Sequence, residues 1–221
     1  NNTLVSSAID ETAVDAVADA AIIVSGISGD VSEAGGTATF SVVLNSQPAD
    51  NVNVPLASND PGEGLPEIPE LVFTPVDWDS PQSVTVTGQD DAVDDGDIPL
   101  TIELGVSSSS DGNYDGLDPT DVVVVNLDDD TAGITISAIS GDTTEDGGTA
   151  TFNVVLDSQP TASVNLGLIS SNEAEGLVFP LVLTFEPGES HESLGLTGAE
   201  VFDIEVPDDI KPKQKILGQL L

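Results

Sequence analysis

Along residues 37–44, Ala38, Phe40, Val42 and Leu44 alternate with Thr37, Thr39 and Ser41. A period of two sends alternate side chains to opposite faces, so this segment is a strand with one face in a core. Val52, Val54 and Leu56 repeat the pattern, as do Val84 and Val86, then Leu100, Ile102 and Leu104, then Val123, Val125 and Leu127. Ile22–Ile27 and Glu70–Phe73 bring the total to about seven strands. Gly, Pro, Asn and Asp separate them, and this spacing predicts an all-β, immunoglobulin-like antiparallel sandwich.

The pattern then repeats. The segment from Gly29 through Thr37-Ala38-Thr39-Phe40 to Pro48 returns almost unchanged from Gly141 through Thr149-Ala150-Thr151-Phe152 to Pro160, 112 residues on. Leu71-Val72-Phe73-Thr74-Pro75 is answered by Leu183-Thr184-Phe185-Glu186-Pro187. A period this long is a whole domain rather than a solenoid turn. The expected organisation is a complete module at 22–131 and a partial one at 132–206, two sandwiches in tandem. In the second copy, strands run to Leu194–Thr197, with one more predicted within Val201–Val206. Nothing there matches the last strand, 121–127, of the first copy. A sandwich lacking that strand exposes an edge that invites pairing with another chain.

Residues 1–21 match neither copy. They read as a linker or N-terminal arm, with Asp10 able to cap a short helix or the segment able to act as a strand donated to a neighbour. Residues 207–221 form an atypical basic tail.

Charge changes the picture. Forty acidic residues face three lysines and no arginine, for a net charge of −37. Lys211, Lys213 and Lys215 all lie in the last eleven positions. Such a chain is expected to bind neither nucleic acid nor anionic lipid, both of which need Lys or Arg to displace counterions. It also repels itself. The acid reads either as solubility charge or as a store for multivalent cations, and its clustering favours the second. With 38% apolar residues in blocks, the chain is expected to fold. Without Cys it forms neither disulfides nor thiolate sites. No apolar run is long enough to insert into a membrane. The absence of Met and of a leader reads as a piece of something longer.

Three acidic groups sit at strand ends: Glu33 in a turn, the run Asp90-Asp91-Ala92-Val93-Asp94-Asp95-Gly96-Asp97, and the triplet Asp128-Asp129-Asp130. In an up-and-down sandwich the ends of alternate strands share a pole, which gathers these groups together with Ser58-Asn59-Asp60. Like charges about 5 Å apart at an effective dielectric near 20 cost on the order of 3 kcal/mol per pair. Calcium resolves that cost with 6–8 oxygen ligands in flexible geometry, where magnesium demands a tighter octahedron. Zinc and copper would call for His or Cys. Solvated turn acids are the plainer alternative.

The segments Ser32-Glu33-Ala34-Gly35-Gly36-Thr37, Thr87-Gly88-Gln89-Asp90-Asp91 and Leu127-Asp128-Asp129-Asp130-Thr131-Ala132-Gly133 resemble the Calx-beta family. Its members include calcium-sensor domains of sodium–calcium exchangers and tandem arrays in bacterial RTX-like surface adhesins. The resemblance implies calcium ligands at Glu33, Asp90, Asp91, Asp95, Asp128, Asp129 and Asp130, with Asp60 a further loop ligand. The second copy keeps Glu145 but has Ala199-Glu200-Val201 in place of the Asp pair and no triplet, so one calcium cluster is expected.

No enzyme is expected. His191 stands alone beside Glu189 and Glu192, and a glycosidase-like carboxylate pair would want more aromatics than one Trp, one Tyr and six Phe. Trp78, in a Pro-flanked turn, reads as a cap on the module. The loop Asn113–Asp118 reads as a second calcium site or a plain turn. The function expected is a calcium-stiffened structural module of a large extracellular, adhesin-like protein at the cell surface. Its partners would be calcium ions and neighbouring modules, with self-association through the incomplete copy. A regulatory sensor of a membrane transporter and a head-to-tail filament are the alternatives.

Overall fold

The computed structural model describes residues 19–189, with the backbone of two further strands at His191–Gly198 and Phe202–Glu205. The arm expected at 1–21 lies outside the described residues up to position 18, and so does the basic tail. The fold is all-β, and the described residues form seventeen strands: β1 (Ile22–Val24), β2 (Val31–Ser32), β3 (Thr37–Leu44), β4 (Val52–Ser58), β5 (Gly64–Pro66), β6 (Glu70–Phe73), β7 (Gln82–Gly88), β8 (Ile98–Leu104), β9 (Ser108–Ser109), β10 (Val122–Leu127), β11 (Ile134–Ile136), β12 (Thr149–Leu156), β13 (Val164–Ser170), β14 (Gly176–Phe179), β15 (Val182–Phe185), β16 (His191–Gly198) and β17 (Phe202–Glu205).

In the first copy one sheet has the order β1-β3-β7-β5, and the facing sheet runs β2-β10-β8-β4-β6 with β9 added on β4. All pairings are antiparallel except β2 with β10, which is parallel. Alternation along β3, β4, β6, β7, β8 and β10 places Phe40, Val42, Val54, Phe73, Val84, Val86, Ile102 and Val124 in one core between the sheets. The second copy repeats the plan with β11-β12-β16-β14 facing β15-β13-β17, around Phe152, Val154, Leu166, Leu168 and Phe185. Among the described residues no strand lies beyond β17, at the position that β10 holds beside β8 in the first copy.

Three expectations need correction. In β10 the inward residues are Val122, Val124 and Asn126, whereas Val123 and Leu127, expected in the core with Val125, are exposed, because the unbroken run of valines does not show which face is buried. The strands do not run up and down: β3 to β4 and β7 to β8 cross between the facing sheets, so neighbours in sequence are often not neighbours in a sheet. The opening strand is also not continuous over 22–27. It pairs with β3 at Ile22–Val24, then leaves that sheet and joins the other beside β10 at Val31. Hydrophobic periodicity reports which side chains point inward and carries no record of which sheet the backbone joins.

The ends of the first module differ. At one end Tyr114, only 1% exposed, sends its hydroxyl to Ser46 and Asn45, and Trp78 packs against the core from the loop before β7. The Asn113–Asp118 loop there is a hydrogen-bonded turn. Asp111 accepts from the Ala49 and Asn113 amides and Asp115 from that of Ser109, and neither carboxylate joins an acidic group able to hold a metal. The Ala49 amide, followed by that of Asn113, holds the Asp111 carboxyl below its usual range. The opposite end carries the acids.

Candidate metal centre

Four segments meet at that second end. The turn after β2 is a tight one: the Gly35 and Gly36 amides donate to the Ser32 carbonyl, and Gly35 has φ +81°, a conformation that favours glycine. This turn points Glu33 inward, and its own amide donates to the Leu127 carbonyl at 3.0 Å. Gly88, at the end of β7, packs so closely on Ser32 and on the Asn126 side chain that a Cβ would overlap them. The turn after β4 is closed by the Glu63 and Gly64 amides on the Asp60 carbonyl, which brings Glu63 to the cluster. Asn126, 1% exposed on β10, donates to Glu63 at 3.1 Å and to the Gln89 carbonyl at 3.0 Å, linking three of the segments.

Two groups of carboxylates result. Oxygens of Glu33, Asp91 and Asp130 lie within 4.8 Å of one another, and so do those of Glu63, Asp91 and Asp95. Asp91 belongs to both, so the two sets form one continuous acidic site. Glu33 is 3% exposed, and its Oε2 is buried with no hydrogen-bond partner. Burial, then the Asp91 and Asp128 charges, push its carboxyl up to about 7, with the Asp129 backbone amide opposing. Burial and the Asp91 and Asp128 charges also raise Asp95. Burial followed by the charges of Asp128, Asp129, Asp90 and Asp91 raises Asp130. Glu33, Asp95 and Asp130 are thus pushed toward protonation, and among the described residues no positive charge stands beside them.

The remaining expected ligands stand around this centre. Asp128 accepts from the Gly96 amide at 2.7 Å and the Asp130 amide at 2.8 Å, which folds the triplet against the 90–97 loop. Asp90 and Asp129 act on Asp130 through their charge and lie outside both close groups. Asp60 also lies outside them, exposed, with its carboxylate accepting from the Gly62 amide. Glu63, which sequence reading did not single out, belongs to one of the close groups and lies in the same turn as Asp60. The signal for it was available, since Glu63 precedes Gly64 in the same turn, but a single acid among Pro and Gly does not stand out as the Asp runs do.

A buried, unpartnered carboxylate oxygen amid like charges fits a hard cation with several oxygen ligands, because the cation removes both the unpaired acceptor and the repulsion. The corresponding residue of the second copy, Glu145, is exposed, with no comparable acids gathered around it among the described residues.

The acidic loop also reaches the second copy. The Gln159 amide donates to the Ala92 carbonyl at 2.6 Å, and the Ala132 amide to Asp94 at 2.6 Å. Val93 and Asp94 line a cleft with Leu156, Pro160 and Val164 at the junction.

The fold and site define two successive β-sandwiches, of which the first carries an acidic cluster at one end. Among solved structures, the calcium binding domain CBD12 of CALX1.1 is similar at 22% identity, over 82% of this chain and 80% of that one, with a TM-score of 0.38. CBD12 from CALX1.2 aligns at 21% identity over 82% and 79%, with a TM-score of 0.37. A protein of unknown function from Porphyromonas gingivalis W83 aligns at 14% identity over 80% and 83%, with a TM-score of 0.33. No family model matches the chain, and no curated protein matches it.

Proposed function

We propose that this chain is a calcium-binding structural segment of a large, repetitive extracellular protein, in which the cation stiffens the joint between modules. The observation that carries this reading is Glu33, buried with one oxygen unpartnered between Asp91 and Asp130. Glu33, Asp91, Asp130, Glu63 and Asp95 would hold the ion directly. Asp90, Asp128 and Asp129 would complete its charge balance.

The 90–97 loop supplies the mechanical link. It contributes Asp91 and Asp95 to the centre while Asp94 accepts from Ala132 at the start of the second module and Ala92 from Gln159 in the loop after β12. An ion that fixes the loop therefore also fixes the angle between modules. No catalytic role is proposed.

Calcium titration followed by calorimetry tests the reading, and small-angle scattering with calcium and then chelator tests the stiffening. Extracellular modules bind calcium at about 10⁻⁴–10⁻³ M and sensors at about 10⁻⁷–10⁻⁵ M, so a weak constant supports the structural role and a tight one supports a sensor. At ~100 times the dissociation constant, calcium adds about 2.7 kcal/mol to folding. An unchanged melting temperature and an unchanged scattering profile on chelation would refute it.

A further inference from the structure

The two modules differ on one flank in a way that their shared plan does not require. In the first module, the segment joining β5 to β6 reads Leu65-Pro66-Glu67-Ile68-Pro69-Glu70, with acids and prolines guarding two edge strands. The matching segment of the second module reads Leu177-Val178-Phe179-Pro180-Leu181-Val182. Phe179 stands in place of Glu67 and Val182 in place of Glu70. Phe179 is 73% exposed, Leu181 62%, Leu177 56% and Val182 51%. β14 and β15 are both sheet edges, so this apolar ridge flanks an open backbone ladder.

The path of the chain indicates what covers the ridge. β17 runs antiparallel to β13, with Glu205 opposite Gly167, and Gly167 is opposite Val182 of β15. The chain thus leaves β17 heading toward the pole where Phe185 ends β15 and where Glu186 and Glu189 lie exposed. From Glu205, level with Gly167, the chain climbs about 10 Å to the level of Val164 and Phe185 and then crosses three strand spacings, about 14 Å, to the open side of β15. Residues 206–213 span about 26 Å when extended. Lys211, Lys213 and Lys215, the only cations among 221 residues, therefore fall on or just after that crossing, followed by Ile216, Leu217, Leu220 and Leu221. The order of charges and then apolar groups in the chain matches the order of acids and then apolar ridge on the surface.

We infer that residues 211–221 of this same chain dock on the β14–β15 flank, the lysines at Glu186 and Glu189 and the apolar end antiparallel along β15.

The sequence supplies its own assay. Trypsin cuts after Lys or Arg, the Lys211–Pro212 bond resists it, and so Lys213 and Lys215 are the cleavable positions in the chain. Cleavage of the full chain should be at least about tenfold slower than that of a free peptide of residues 206–221, because only the undocked fraction is cut. In the double variant Phe179→Glu, Val182→Glu, which restores the acids of the first module, the rate should return to that of the peptide. Both replaced side chains are largely exposed, and Phe179→Glu alone serves if the double variant does not fold. Unprotected cleavage of the native chain overturns the inference. Protection that survives the substitutions also overturns it, since the tail is then held elsewhere, as at the free edge of β17. Protection lost on dilution assigns the tail to a neighbouring copy, and protection lost on adding calcium assigns it to the acidic pole of the first module; either result overturns docking on this flank.

Discussion

Glu33 is the residue on which the acidic centre turns. Its carboxyl is raised to about 7 from an ordinary 4.5, so between those values the folded chain holds a proton that the unfolded chain has released. Stability without a divalent ion therefore falls as pH rises through that window, since the folded state binds more protons than the unfolded state there. Denaturation in chelator at pH 5 and pH 8 should show the first module less stable at pH 8, and saturating calcium should remove the difference. Calcium uptake at pH 7 should release protons, measurable by calorimetry in buffers of different ionisation enthalpy. Glu33→Gln should stabilise the chelated protein at pH 8 by removing a buried charge. In calcium it should weaken binding by on the order of a hundredfold; unchanged affinity would remove Glu33 from the ligand set.

The strands show how much was legible in advance. Alternation in Thr37–Leu44 identified the core-facing positions, because a half-buried strand writes its burial into every second residue. In Val122–Leu127 the same reading chose the wrong face, because four consecutive valines carry no alternation and the residue that completes the buried face, Asn126, is polar. The Asp runs marked the end of the sandwich where loops gather, because acids at strand ends are close in sequence to the turns that carry them. Gly64–Pro66 and Ser108–Ser109 were not legible, being short edge strands rich in Gly, Pro and Ser. The sheet change between Val24 and Val31 was also hidden, since it depends on which partner the backbone finds. Gly88 read simply as the residue before the acids, yet its missing side chain lets β7 press against Ser32 and Asn126. Gly88→Ala should cost about 1–3 kcal/mol by overpacking, seen as a lower urea midpoint with an unchanged slope, and should weaken calcium binding by separating Asp91 from Glu33. A variant as stable as the parent would show that this contact is dispensable.

Across the molecule, a net charge of −37 with no cation before position 211 makes self-repulsion a general term in stability. Monovalent salt at 1 M shortens the screening length to about 3 Å, so it should raise the melting temperature of the calcium-free chain. In saturating calcium the same salt should have a smaller effect. The second module, whose Glu145 is exposed and outside any cluster, should melt at a temperature independent of calcium except through its junction bonds. Two calorimetric transitions, of which calcium moves mainly one, are the expected record.

The parallel pairing of β2 with β10 bears on how the first module carries load. Ile22 enters at the pole opposite the acids and Leu127 leaves at the acidic pole, while Val31 and Ser32 lie alongside Asn126 and Leu127. Tension drawn through the backbone from both sides slides these two strands past each other, so their hydrogen bonds are strained in shear, all together, instead of opening one at a time like a zipper. The same two strands carry Glu33 and Asp128 just beyond their ends, so an ion held there would act as a rivet at the point where sliding begins.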